Sequence, residues 1–129
     1  MERFENNTRK RLHKAERLSS KKLIDLLFTK GSSFKITPFI VRYIKLPENE
    51  SEYHQLLVSV SKRNFKHAVD RNRIKRQIRE AYRLNKHLIS DMPDKYAIAY
   101  IYAGKTTTTY RELENKLIAC MSRLRNELA

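Results

Sequence analysis

Hydrophobic positions along the chain follow two spacings, and the switches between them mark out seven elements. Leu23, Leu26, Leu27 and Phe28 recur at helical spacing. Ser19 or Ser20 can cap that helix, and Gly31 follows as a stop because glycine tolerates the left-handed conformation. From Ser33 to Lys45 β-branched and aromatic residues dominate, which predicts extended chain. Pro38 cannot donate to a ladder, so the region divides into a short strand near 33–37 and a longer one near 39–45. A polar loop, Leu46 to His54, leads into a third strand. Leu56, Val58 and Val60 share one face of it, while Leu57, Ser59 and Ser61 share the other, a face small enough for something to lie against. A charged helix is predicted from about His67 to Ile89. A linker containing Pro93 follows, then a last strand, "KYAIAYIYA", from Lys95 to Ala103. Thr109 and Glu112 make an S/T-x-x-E capping box ahead of the apolar stripe Leu113, Leu117, Cys120 or Met121, Leu124 and Leu128. The predicted fold is α+β in the order α-β-β-β-α-β-α, a mixed sheet covered by helices. It forms one domain over 18–129, preceded by a basic, mobile arm over 1–17.

Charge narrows the function. The 129 residues carry 28 Lys and Arg against 14 Asp and Glu, a net charge of +14. Repulsion on that scale disfavours compactness unless a polyanion neutralises it, so nucleic acid is the leading partner class. An acidic membrane surface is the competing polyanion, but it asks for an amphipathic helix whose apolar face is not already taken by a core. The longest apolar run, "YAIAYIYA", is too short to cross a bilayer, and "MERFENNTRKR" lacks the apolar stretch of a signal peptide. Those features predict a cytoplasmic protein. Cys120, the one cysteine, sits among Leu117, Met121 and Leu124 and reads as a buried structural thiol.

The charge concentrates in "AVDRNRIKRQIREAYR", Ala68 to Arg83, which holds six Lys or Arg residues in sixteen positions. At roughly 100° per residue, Ile74, Ile78, Ala81 and Leu88 gather on one side of this helix. Asn72, Arg76, Arg79, Arg83 and Lys86 form a stripe opposite, flanked by Arg73 and Lys75. A solvated helix normally mixes signs at i,i+4, yet Asp70 and Glu80 are the only acids between Val69 and Ile89. The pattern predicts a seated helix that presents an uncompensated cationic face to a polyanion.

The stretch "SKRNFKHAVDRNRIKRQIRE", Ser61 to Glu80, resembles the signature of the protein subunit of bacterial ribonuclease P. That family carries a basic strand end, a short connection and R-N-R-x-K-R-x-x-R on a helix, and Arg71, Asn72, Arg73, Lys75, Arg76 and Arg79 fill the motif in register. The resemblance runs from Leu18 through the final helix. It implies a left-handed crossover around the basic helix, against the usual hand of parallel βαβ units. It also implies an RNA subunit that carries the catalytic centre, with Mg2+ used by the holoenzyme and held mainly by that RNA. By the same resemblance, Lys62, Arg63 and the helix motif meet the catalytic RNA. The single-stranded 5′ leader of precursor tRNA lies in a cleft lined by Phe28, Arg42, Ser59 and Ser61, with Phe28 as the stacking residue. This chain departs from the family pattern at Ile24, where an aromatic is common, at Arg42, often tyrosine, and at Arg63, often lysine. It also lacks a glycine in "NFKH". Cation contacts from Arg42 are expected to offset weaker stacking.

Rival readings lead elsewhere. A protein-only nuclease needs clustered carboxylates or histidines for hard metal ions. Here Glu48, Glu50 and Glu52 lie in a loop, Glu112 and Glu114 begin a helix, and His13, His54, His67 and His87 show no ligand spacing. A structural RNA-binding protein such as a ribosomal component shares the charge and size but needs no leader cleft. A sequence-specific DNA binder is disfavoured because nothing suggests a two-helix reading unit or dimer half-sites.

Overall fold

The computed structural model describes residues 12–128. Helix α1 (Lys21–Lys30) begins where the Ser20 hydroxyl accepts the Leu23 N–H. It ends at Gly31, whose N–H donates to the Leu27 carbonyl. The expected left-handed glycine is not what stops it: Gly31 has φ −70°. Its requirement is space, since a Cβ there would meet the Leu27 oxygen at 2.3 Å and the Tyr43 oxygen at 3.1 Å.

Strands β1 (Ser32–Ile36) and β2 (Phe39–Lys45) form an antiparallel hairpin turned at Thr37 and Pro38, with Ile36 opposite Phe39. Strand β3 (Gln55–Val60) leads into α2 (Ala68–Asn85), and the chain returns through a short 3-10 turn, Lys86–Leu88, to β4 (Tyr96–Tyr102). The last element is α3 (Tyr110–Leu128). The Thr109 hydroxyl accepts the Glu112 N–H at its start, whereas the Glu112 carboxylate takes the hydroxyl of Thr108. The sheet runs β1-β2-β4-β3, antiparallel except for the β3–β4 pair, so it is the mixed sheet that the sequence predicts.

Alternation on the strands separates two faces. Phe34, Phe39, Val41, Ile98, Tyr100, Tyr102, Leu56, Val58 and Val60 build the main core with α2 and α3. Cys120 lies inside it, fully buried, and burial pushes its thiol up to about 12. The opposite face carries a smaller cluster, Leu18, Leu27, Leu46, Ala97 and Ala99, under α1. The result is three layers: α1, the sheet, then α2 beside α3. Among the described residues no helix is long and apolar enough to cross a membrane.

The expected arm falls mainly on residues outside the described range, but its last part is docked. Leu12 packs against the main core. Arg17 bridges in parallel to Leu56, and Leu18 donates its N–H to the Leu56 carbonyl. Glu16 is buried and bonds Lys86. The chain therefore joins the fold ahead of Leu18.

Candidate nucleic-acid interface

Helix α2 is seated by Ile74, Ile78, Ala81 and Tyr82, all buried. Leu88 is only partly buried, and Ile89 fills the core beyond the helix end instead. Burying each large apolar side chain is worth about 1.5–3 kcal/mol, whereas each like-charge pair on the helix surface costs a few tenths. Seating therefore outweighs crowding by a wide margin.

On the opposite side Asn72, Arg73, Arg76 and Arg79 are exposed and Lys75 is half-buried. None of these four cations has an ion pair among the described residues. The stripe is shorter than the wheel predicts. Arg83 gives its Nε to Glu80 at 2.6 Å, and Lys86 turns inward to Glu16 at 3.0 Å. Beyond Arg79 the charge is thus compensated. Arg71 is used differently, for its Nη1 donates to the carbonyls of Phe65 and Lys66, at 2.8 and 3.0 Å, and binds the entry to the helix.

The connection from β3 to α2 is held as firmly. The Ser61 hydroxyl accepts the Arg63 N–H, and its carbonyl accepts the Phe65 N–H. Phe65 is buried against Tyr102. Asn64 donates to the carbonyls of Ala103 and Gly104, at 3.3 and 3.2 Å. These bonds fix the connection and leave Lys62 and Arg63 exposed at the corner. Val69, in the first turn of α2, stands 78% exposed, an apolar spot among cations that charge counting overlooks.

Phe28 is 42% exposed at the end of α1, so it is not a core residue. It lies on the α1 side of the sheet. Register puts Ser33, Arg42, Ala99 and Leu57 in one row across that face, and Lys35, Ile40, Ile101 and Ser59 in the next. Ser59 is half-buried on that face, whereas Ser61 lies just past the end of β3 and spends its hydroxyl on the turn. Arg42 points its guanidinium at α1, donating to the carbonyls of Leu27, Phe28 and Gly31. The sequence-predicted residues thus form two neighbourhoods. One is the cation face of α2 with its corner, and the other is the α1 side of the sheet, where Phe28 and Arg42 touch and Ser59 shares the face two strands away.

A third cationic feature lies in the segment expected to be an arm. Lys14, Arg17, Ser19 and Ser20 line an open cavity of about 660 Å³, which Glu50 and Glu52 also line. Its mixed sign makes it a weaker anion site than the α2 face.

Acidic side chains do not converge. Glu16, Glu80, Asp91, Asp94 and Glu127 are each paired with a Lys or Arg. Among the described residues no group of three or more His, Cys, Asp or Glu could hold a metal ion.

Known proteins resemble this chain in sequence and fold. The family model described as Ribonuclease P matches residues 12–125. A Ribonuclease P protein component from Porphyromonas gingivalis is 38% identical over 117 residues, covering 88% of this chain and 85% of that protein. One from Chlorobium phaeobacteroides is 32% identical over 128 residues, covering 88% of each. Among solved structures, the RNase P protein from Thermotoga maritima superposes with a TM-score of 0.69 at 27% identity, covering 84% of this chain and 96% of that one. The Staphylococcus aureus RNase P protein gives 0.70 at 26% identity, covering 90% of this chain and all of that one.

Proposed function

The chain belongs to the ribonuclease P protein family, and on that premise we propose that its α2 face binds the catalytic RNA subunit while the Phe28 surface receives the 5′ leader of precursor tRNA. The activity is that of a tRNA-processing endoribonuclease, and the partner is RNA. One observation carries the finer reading: Arg76 and Arg79 are exposed and free of ion pairs among the described residues, on a helix whose other side is buried.

Cations held at fixed spacing neutralise RNA phosphates and release their counterions, which drives binding. In this reading Lys62, Arg63, Asn72, Arg73, Lys75, Arg76 and Arg79 contact the RNA subunit, while Arg71 also holds the entry to the helix. Phe28 offers its ring to a leader base, and stacking suits any sequence because every base has a π-face. Ser59, a small residue on the same face of the sheet, and Ser61 just past its strand would line the far side of the leader's path. Mg2+ held mainly by the RNA would supply an activated water for hydrolysis of the phosphodiester, which gives a 5′-phosphate on mature tRNA and a 3′-hydroxyl on the released leader. The particle works in the cytoplasm.

Adding the purified chain to a ribonuclease P RNA at low magnesium should greatly raise cleavage of precursor tRNA. No change in rate would leave only an RNA-binding protein of structural type.

A further inference from the structure

Arg42 is not held as a free cation would be. Its Nε donates to the Leu27 carbonyl at 3.3 Å, and its Nη2 donates to those of Phe28 and Gly31 at 3.1 and 3.3 Å. Phe28 carries one of the carbonyls that the end of α1 leaves without a helical partner, while the Leu27 carbonyl already accepts the Gly31 N–H and takes Arg42 as a second donor. The guanidinium carbon also lies 5.7 Å from the centroid of the Phe28 ring. Its cross-strand neighbours, Ser33 on β1 and Ala99 on β4, are small, which leaves its long side chain room to cross the sheet toward α1.

We infer that Arg42 is a positioning residue for the leader site, and that it acts through Phe28. It locks the last turn of α1 so that an exposed ring, two residues from the helix end, keeps one orientation. Three of its five N–H donors are committed to carbonyls. Only Nη1 has no hydrogen-bond partner among the described residues, so most of the guanidinium is spent on holding the helix end. Lysine cannot replace it, because an ammonium is a single point of charge that cannot reach three carbonyls and lie against a ring as a planar fork does. The inference rests on the leader reading of Phe28.

The test uses holoenzyme reconstituted with ribonuclease P RNA and reads the preference for leader-bearing over leaderless tRNA across a KCl series. Phe28→Ala should lower that preference about tenfold, within the range of base–aromatic stacking. Arg42→Lys and Arg42→Ala should each lower it by a similar factor, and Phe28→Ala with Arg42→Ala should lose no more than Phe28→Ala alone. The salt slope should not move. If Arg42→Lys keeps the preference, if the two losses multiply, or if Arg42→Ala flattens the slope by about one, Arg42 is an independent contact and the inference is overturned. Preference intact in Phe28→Ala would instead bring down the leader reading, and the inference with it. Should Arg42→Ala unfold, Arg42→Lys alone decides between clamp and free cation.

Discussion

Lys86 Nζ lies 3.0 Å from Glu16 Oε2, joining positions 70 residues apart in a pair that is almost wholly buried. The Glu16 carboxylate also accepts the His13 N–H at 2.7 Å, so one side chain both shapes the entering turn and pins it to the end of α2. Removing one member of a buried pair leaves the other desolvated without full compensation. Glu16→Ala should therefore cost about 3 kcal/mol in urea unfolding. A loss below about 1 kcal/mol, typical of an exposed pair, would show that the turn is not anchored there.

His54 should make stability fall on the acid side of neutrality. Its Nδ1 accepts the Tyr96 N–H at 3.0 Å, and its Nε2 donates to the Ile89 carbonyl at 2.8 Å, an arrangement that holds the neutral ring. Burial lowers its pKa below the ordinary 6.5, with Lys95 pushing the same way and the Ile89 carbonyl and Glu16 opposing. Well above pH 6.5 the ring is neutral folded or unfolded, so the slope it contributes fades out there. Below that value the unfolded chain takes a proton that the folded chain refuses, and stability drops by up to about 1.4 kcal/mol per pH unit. Melting temperatures from pH 7.5 to 5 should show the decline, and His54→Gln should remove this part of it. An identical slope in the variant would assign the decline to other groups.

Gly31→Ala should destabilise without any help from backbone strain. Its φ of −70° suits alanine, but the new methyl would sit 2.3 Å from the Leu27 oxygen, and that oxygen belongs to backbone that cannot swing aside. Overpacking of this kind costs about 1–3 kcal/mol. A thermal melt matching the parent would mean that the end of α1 shifts freely.

Replacing Arg76 and Arg79 together with alanine should weaken binding to ribonuclease P RNA and flatten its log–log salt dependence by about one unit per lost phosphate contact. Arg83→Ala should change the slope far less, since its guanidinium already serves Glu80. Binding titrations at several KCl concentrations measure both. An unmoved slope in the double variant would take the two arginines out of the interface.

Local periodicity makes most of the fold legible. Ile74, Ile78 and Ala81 announce the buried side of α2, and Leu56, Val58 and Val60 that of β3, because each set repeats within a few residues. Tyr82 is harder to see: a hydroxyl-bearing ring among arginines looks like surface, yet it is buried beside Tyr100. Lys86 falls on the cation stripe of a helical wheel, but its partner lies far away in sequence, where no wheel can reach. Gly31 is legible as a stop but not for its reason, which is the close approach of the Leu27 carbonyl in the folded turn, with the Tyr43 carbonyl of a later strand behind it. At the candidate site, the motif Arg71 to Arg79 can be read directly. The division of labour within it cannot. Arg71 and Arg42 spend their guanidinium groups on backbone carbonyls that only the folded chain brings near them.

Asn64 grips Ala103 and Gly104 from one end of the β3–α2 connection, and Arg71 grips Phe65 and Lys66 from the other. A surface pinned at both margins does not mould itself to a partner. On the proposed RNA-binding role of this surface, induced fit during assembly falls mainly to the nucleic acid, with the protein as a template. The same charges on an unstructured peptide would bind more weakly, because ordering them would be subtracted from the affinity.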